Sequence, residues 1–226
     1  MRFYVLDKFM KGSAHNAITQ ASESGVSRLG KPPECKACGG ILGMKEWLPP
    51  FEVVLEAWGE EYGDFAFPVG NDFLVSLRFK EVYERQRLVG LYGFDPVKVA
   101  KVKRFGKVKG EAPSYFRVAI VRSGTAVDQN ASGFEWDGVP TCSVCRQGQF
   151  LKRWRRIIID TQTWTGEDIF YARGLPGTII ASERFKDVCE SSGVRNAVFI
   201  PAEESAYDAC PWETSCRESE GAELEQ

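Results

Sequence analysis

Four of the seven cysteines in this 226-residue chain fall in two Cys-x-x-Cys pairs, Cys35/Cys38 in PPECKACGG and Cys142/Cys145 in VPTCSVCRQ. Thiols at this spacing suit a knuckle, a tight turn whose backbone amides support both sulfurs. Two facing knuckles supply four thiolates for a tetrahedral zinc ion. Four thiolates leave no open coordination position, so the expected role is structural. The competing chemistry is redox, which usually needs one reactive pair opening a helix with a lowered thiolate pKa. Two alike pairs, each in a Pro/Gly-rich loop, fit zinc better. The 103 residues between the pairs far exceed the roughly 15–20 of a simple zinc ribbon. The metal must therefore staple distant parts of the fold.

Other chemistry finds little support. Cys189 falls on the apolar side of a predicted helix and reads as a small buried hydrophobe. Cys210 and Cys216 lie in the C-terminal tail as free thiols. The single histidine is His15, and a Cys-His pair or Ser-His-Asp triad would have to use it. No nucleophile motif accompanies it. The chain has no Walker loop and no Gly-x-Gly-x-x-Gly after a strand. Glu60 and Glu61 sit beside glycine in a turn, where acids are common. The sequence makes no case for an enzyme. Two basic runs, KVAKVKRFGKVKG (Lys98–Gly110) and KRWRR (Lys152–Arg156), carry six and four cations. Cations interleaved with aromatics can bind nucleic acid, but a solvated strand face is the expected reading.

The wide spacing of the pairs becomes intelligible through an internal repeat. Cys35 and Cys38 recur as Cys142 and Cys145 at a shift of 107, as does Pro33 at Pro140. Trp58 recurs as Trp164, and LRFKEVYE (Leu77–Glu84) as ERFKDVCE (Glu183–Glu190), at 106. FDPV (Phe94–Val97) aligns with FIPA (Phe199–Ala202) at 105. The expected fold is α+β, built from two sequence-related copies of a β-rich unit with one main helix each and joined by a shared four-cysteine zinc site. The copies span residues 1–110 and 111–205, with an acidic, disordered tail at 206–226. Each copy opens with a strand, RFYVL or FRVAIV, and continues through its knuckle. An apolar strand comes next, FEVVLEAW or RRIIIDTQTW, and then a short aromatic one, DFAF or DIFYA. A helix and a closing strand complete the unit. The second helix is expected to start at an N-cap, Ser182, and to stop before Gly193. The first is expected from Asn71 or Asp72 to Val89.

The charge balance conceals an asymmetry. The net charge is −2, but residues 203–226 carry −7 and the rest of the chain +5. No run of 18 apolar residues and no signal-peptide pattern is present, so the expected location is the cytoplasm, where thiols stay reduced.

This pattern resembles the double-CXXCG-motif proteins of myxobacteria, a family of immunity proteins from toxin–immunity pairs used in kin discrimination. CKACG keeps the family's glycine at Gly39. CSVCR departs from it with Arg146, where glycine would supply a left-handed backbone. DIFYARGLPGTIIASERFKDV (Asp168–Val188) and NAVFIPAEE (Asn196–Glu204) are similar to the C-terminal pattern of a broader bacterial immunity family. The resemblance implies a non-catalytic protein whose partner is a cognate protein toxin. No membrane partner is expected without an apolar run, and the acidic tail, which could compete with phosphates for the basic runs, argues against nucleic acid. The alternative is a zinc-ribbon-like nucleic-acid-binding protein using the two basic runs.

Overall fold

A computed structural model describes residues 1–7, 17–25, 28–67 and 72–209. His15, Cys210, Cys216 and most of the acidic tail lie outside the described residues. The first half of the chain supplies β1 (Phe3–Asp7), β2 (Ala17–Glu23), β3 (Arg28–Leu29), β4 (Trp47–Leu48), β5 (Glu52–Gly59), β6 (Phe65–Ala66), β7 (Phe73–Ser76), α1 (Leu77–Arg85) and β8 (Leu91–Arg104). The second supplies β9 (Tyr115–Ile120), β10 (Arg122–Ala126), α2 (Gln129–Ser132), β11 (Glu135–Asp137), β12 (Phe150–Trp154), β13 (Ile169–Arg173), β14 (Ile179–Ser182), α3 (Glu183–Ser191), β15 (Val198–Pro201) and β16 (Tyr207–Asp208). Strands dominate and the helices are short, an α+β composition.

Two sheets carry the architecture. One has the order β2-β5-β8-β9-β7-β6, the other β10-β13-β14-β1-β15. A parallel bridge between Gln20 and Phe67 links the edges of the first, so it curls back on itself. Within them, β6-β7-β9-β8 and β13-β14-β1-β15 run in the same order and with matching register. Ser76 faces Tyr115 and Pro96 faces Phe116 in the first sheet. Ser182 faces Phe3 and Pro201 faces Tyr4 in the second. The two strands that open the halves of the chain thus sit in each other's sheets. β1 is a central strand among second-half elements, and β9 a central strand among first-half elements.

This exchange follows from burial. Leu6 of β1 packs in one core with Phe65, Phe79, Phe185 and Cys189, all nearly inaccessible to water. The Phe79 and Phe185 rings, one from each main helix, meet at 6.1 Å between centroids. A β-strand hydrophobic on both faces has to be covered on both, and only the interior between the halves offers that.

Several expected elements differ. The first helix does not start near Asp72. Phe73–Ser76 is a strand with all four residues buried, and α1 begins only after Ser76. Four consecutive buried positions require two covered faces, which one face of a helix cannot provide. Arg155–Trp164 is not a strand either. Ile159 makes a single bridge to Val127, and Thr161–Thr163 forms a 3-10 turn capped by Asp160. Asp and Thr compete for backbone partners there and break the ladder. The helix over Glu183–Ser191 starts at Ser182 as expected, with Gly193 in the left-handed conformation beyond its end.

Replacing Leu6 by alanine should cost about 2–5 kcal/mol in urea denaturation, the usual range for a buried leucine. Hydrogen exchange should then show protection falling first in β14 and β15, although Leu6 is distant from both in sequence. Loss centred on β2 and β5 would contradict the exchange of strands.

Candidate metal centre

The first knuckle is a short hairpin. Glu34 and Ile41 form an antiparallel bridge. The Cys35 N–H donates to the Gly40 carbonyl, and the Gly39 N–H to the Cys35 carbonyl, both at 2.8 Å. Gly39 takes φ +71°, a conformation costly for any residue with a Cβ. The second knuckle repeats the turn through Arg146, whose N–H donates to the Cys142 carbonyl at 2.9 Å. Arg146 adopts φ +57° without being glycine. Gln129 from α2 holds it there, donating from Nε2 to the Arg146 carbonyl at 2.6 Å and to the Gly174 carbonyl at 3.1 Å. The departure from CxxCG thus leaves the turn intact.

The knuckles face each other. All four sulfurs of Cys35, Cys38, Cys142 and Cys145 lie within 4.8 Å of one another. Sγ of Cys35 is 3.8 Å from that of Cys142, and Cys38 is 3.7 Å from Cys145. A zinc–sulfur bond of about 2.3 Å gives a tetrahedron with edges of about 3.8 Å. The donor set and its spacing therefore fit a tetrahedral ion with thiolate ligands. Cys35 and Cys145 are buried, Cys142 is half-buried and Cys38 exposed.

The turn amides also prepare the ligands. N–H groups of Cys145 and Val144 pull the Cys142 thiol down to about 6. Those of Ala37 and Cys38 lower Cys35. Burial raises Cys145. At Cys38 the Gly40 N–H favours the thiolate, but the neighbouring sulfurs of Cys142, Cys35 and Cys145 outweigh it and push the thiol up to about 12. In each pair the turn amides thus favour the thiolate at one cysteine, Cys35 or Cys142, while the other is pushed the opposite way, and a cation entering the cluster must displace whatever protons remain. Neither pair opens a helix, and sulfurs of different pairs approach each other. That arrangement suits a shared ion better than a redox disulfide within one pair. Cys189, on α3, is buried in the core, and burial pushes its thiol up.

Away from the sulfurs, two buried carboxylates brace the halves, and sequence reasoning gave them no role. Asp64 accepts hydrogen bonds from Ser76 Oγ at 2.6 Å, from the Arg195 N–H at 2.8 Å, and from the guanidinium of Arg78. Arg78 in turn donates to the carbonyls of Ser192 and Gly193, at the end of α3. Asp168 accepts from Ser182 Oγ at 3.1 Å, from the Val89 N–H at 3.0 Å and from Arg184 at 2.7 Å. Arg184 donates to the Gln86 carbonyl at 2.6 Å, at the end of α1. Ser76 and Ser182 cap their own helices as well, each accepting from the third N–H at 3.1 Å. The signal was present in the sequence. Arg78 and Arg184 are the shared arginine of LRFKEVYE and ERFKDVCE, and each acid precedes a short aromatic strand.

Among the described residues, half of the ten cations in the basic runs pair with a carboxylate. Lys98 and Lys103 on β8 each meet a glutamate of the parallel strand β5, Glu52 and Glu56, at 2.9 Å. Lys107 reaches Glu60 at 3.6 Å. In the second run, Arg153 lies 3.5 Å from Glu135 and 3.9 Å from Asp208, while the Trp154 ring stacks on Tyr207. No helix among the described residues is long and apolar enough to cross a membrane.

The described residues thus form a β-rich scaffold with a cluster of four thiols that could hold a metal ion. Its sequence places it more narrowly. Residues 64–204 match the model of the immunity protein family Imm11, and the chain belongs to that family. The match runs from Asp64 to Glu204, so it takes in both carboxylate braces and the Cys142/Cys145 knuckle but not the Cys35/Cys38 knuckle. No curated protein matches the chain in sequence.

Asp64→Ala and Asp168→Ala should each lower stability by about 2–4 kcal/mol, since each strands a guanidinium and a buried hydroxyl. Glu56→Ala, which removes only a surface ion pair, should stay within about 1 kcal/mol. Equal effects of the three variants in urea titrations would refute the bracing role.

Proposed function

We propose that this protein neutralises one cognate protein toxin by binding it directly, without catalysis, on a scaffold braced by a structural zinc ion. Membership of the immunity family carries the reading. Cys35, Cys38, Cys142 and Cys145 would hold the ion, which when bound supplies a rigid covalent-like junction between distant segments. The chain's own residues do the rest: the turn amides stabilise thiolates, and Gln129 fixes the second turn. We place the protein in the cytoplasm, where free thiols persist.

We further infer that the chain is a tandem duplication, with copies at 1–110 and 111–205 and one knuckle from each meeting at the zinc. The matched strand orders, the paired serine caps and the reciprocal aspartate braces support it. The first knuckle lies outside the family match, so the narrower kinship with double-CXXCG proteins and with kin discrimination belongs to this proposal too. The nucleic-acid alternative draws on the two basic runs, and their pairing with carboxylates leaves less charge for phosphates, so it ranks second. Salt-dependent binding to DNA or RNA would revive it.

Metal analysis of protein purified without chelator should find one zinc per chain with four thiols protected. Cys35→Ser should lose the metal and much of the stability. In cells, co-expression with its cognate toxin should restore growth for the native chain and fail for the serine variant at elevated temperature. A metal-free native protein whose thiols oxidise in pairs would refute the zinc scaffold.

A further inference from the structure

Beneath the knuckles lies a cleft of about 270 Å³ between the first hairpin and the second sheet. Its walls are mostly apolar, with Leu42, Val144 and Leu175 among them. A second depression of about 180 Å³ adjoins it, and Arg122 and Tyr171 line both. The surface around the mouth is also apolar where it need not be. Ile41 is 64% exposed, Met44 54% and Val144 47%. A patch of this kind on a binding protein is a marker of contact with another chain.

The charges of the two depressions are unbalanced. Lys31, Lys36, Lys45, Arg117, Arg122 and Arg173 line them, against Glu34, Glu46 and Asp72. Asp72 is committed to Arg117, at 2.9 Å. Arg122 spends one N–H on the Leu42 carbonyl at 2.8 Å and stacks over the Tyr171 ring. Arg173 donates to the Gly124 carbonyl at 2.7 Å. Among the described residues, no carboxylate lies within ion-pair distance of Lys36, Arg122 or Arg173. Burial lowers the pKa of Arg122 from the usual arginine value, against weaker opposing effects of Tyr171, Tyr92 and Asp72. These cations contrast with the paired lysines of β8. They are aligned beside an apolar cleft in a protein whose overall charge is negative.

We propose that this cleft is the toxin-docking site, and that it takes an acidic segment of the toxin. An apolar side chain would enter between Leu42 and Val144, and flanking carboxylates would pair with Lys36, Arg122 and Arg173. Charge complementarity of this kind fixes register and accelerates encounter, and an apolar anchor in a pocket carries most of the affinity. The inference rests on the immunity reading above. It also gives the thiol cluster a second consequence, because both knuckles form a wall of the cleft.

The test uses the full chain and the purified toxin against which it protects cells, titrated by calorimetry. Lys36→Glu and Val144→Asp change side chains that make no hydrogen bond in the fold, and Arg173→Gln removes a cation while keeping a donor. Each should weaken binding by about tenfold or more, and Lys36→Glu, which breaks no hydrogen bond of the fold, should also keep the native melting temperature and thiol count. Lys101→Glu, on the exposed face of β8, should bind as the native chain does. Cross-linking from position 144 should capture a toxin peptide rich in Asp and Glu. Native affinity in all three cleft variants, or capture of a basic peptide, would overturn the proposal while leaving the immunity reading intact. A native chain that does not bind the toxin at all would overturn both.

Discussion

Two buried carboxylates hold this molecule together. Asp64 and Asp168 each sit at the start of a short aromatic strand, and each is shared between its own helix cap and the far end of the opposite helix. A buried carboxylate is tolerated when it is paired and hydrogen-bonded. Hydroxyl, guanidinium and backbone N–H supply four hydrogen bonds to Asp64 and three to Asp168. The same arginines close the carbonyls left open where the other helix ends. Removal of either acid would therefore loosen both halves. The helices can stop abruptly, and the rings of Phe79 and Phe185 can approach, because the ends are satisfied from across the interface.

The braces were not read from the sequence, but other parts of the fold were, and for identifiable reasons. The helix over Glu183–Ser191 announced itself through a serine cap, apolar residues at helical spacing and a following glycine. Those signals are local, so they survive in any fold that uses the segment. The cysteine spacing pointed to one cluster, and the four sulfurs do converge. What failed was non-local. Phe73–Ser76 reads equally well as the first turn of a helix or as a doubly buried strand, and only the neighbours β9 and β6 decide. The isoleucines at 157–159 look like a strand, but no continuous partner lies beside them. No pattern within either half could reveal that the opening strands exchange sheets.

The knuckles show a different kind of substitution. Gly39 reaches the left-handed region at no steric cost. Arg146 reaches it against one, with the turn held by a hydrogen bond from Gln129 on another element. The same geometry is thus intrinsic in one knuckle and imposed by tertiary structure in the other. A motif defined by its glycine would miss the second knuckle, although both sulfur ligands remain in place.

The exchange of opening strands bears on how the protein is made. β1 leaves the ribosome long before its partners, Ile180–Ser182 on one side and Val198–Pro201 on the other. Its apolar face must wait, unpaired, until most of the second half has been synthesised. Contacts this distant are slow to close. A half-finished chain would present β1 with neither neighbour, and the second sheet would close only when β15 arrives.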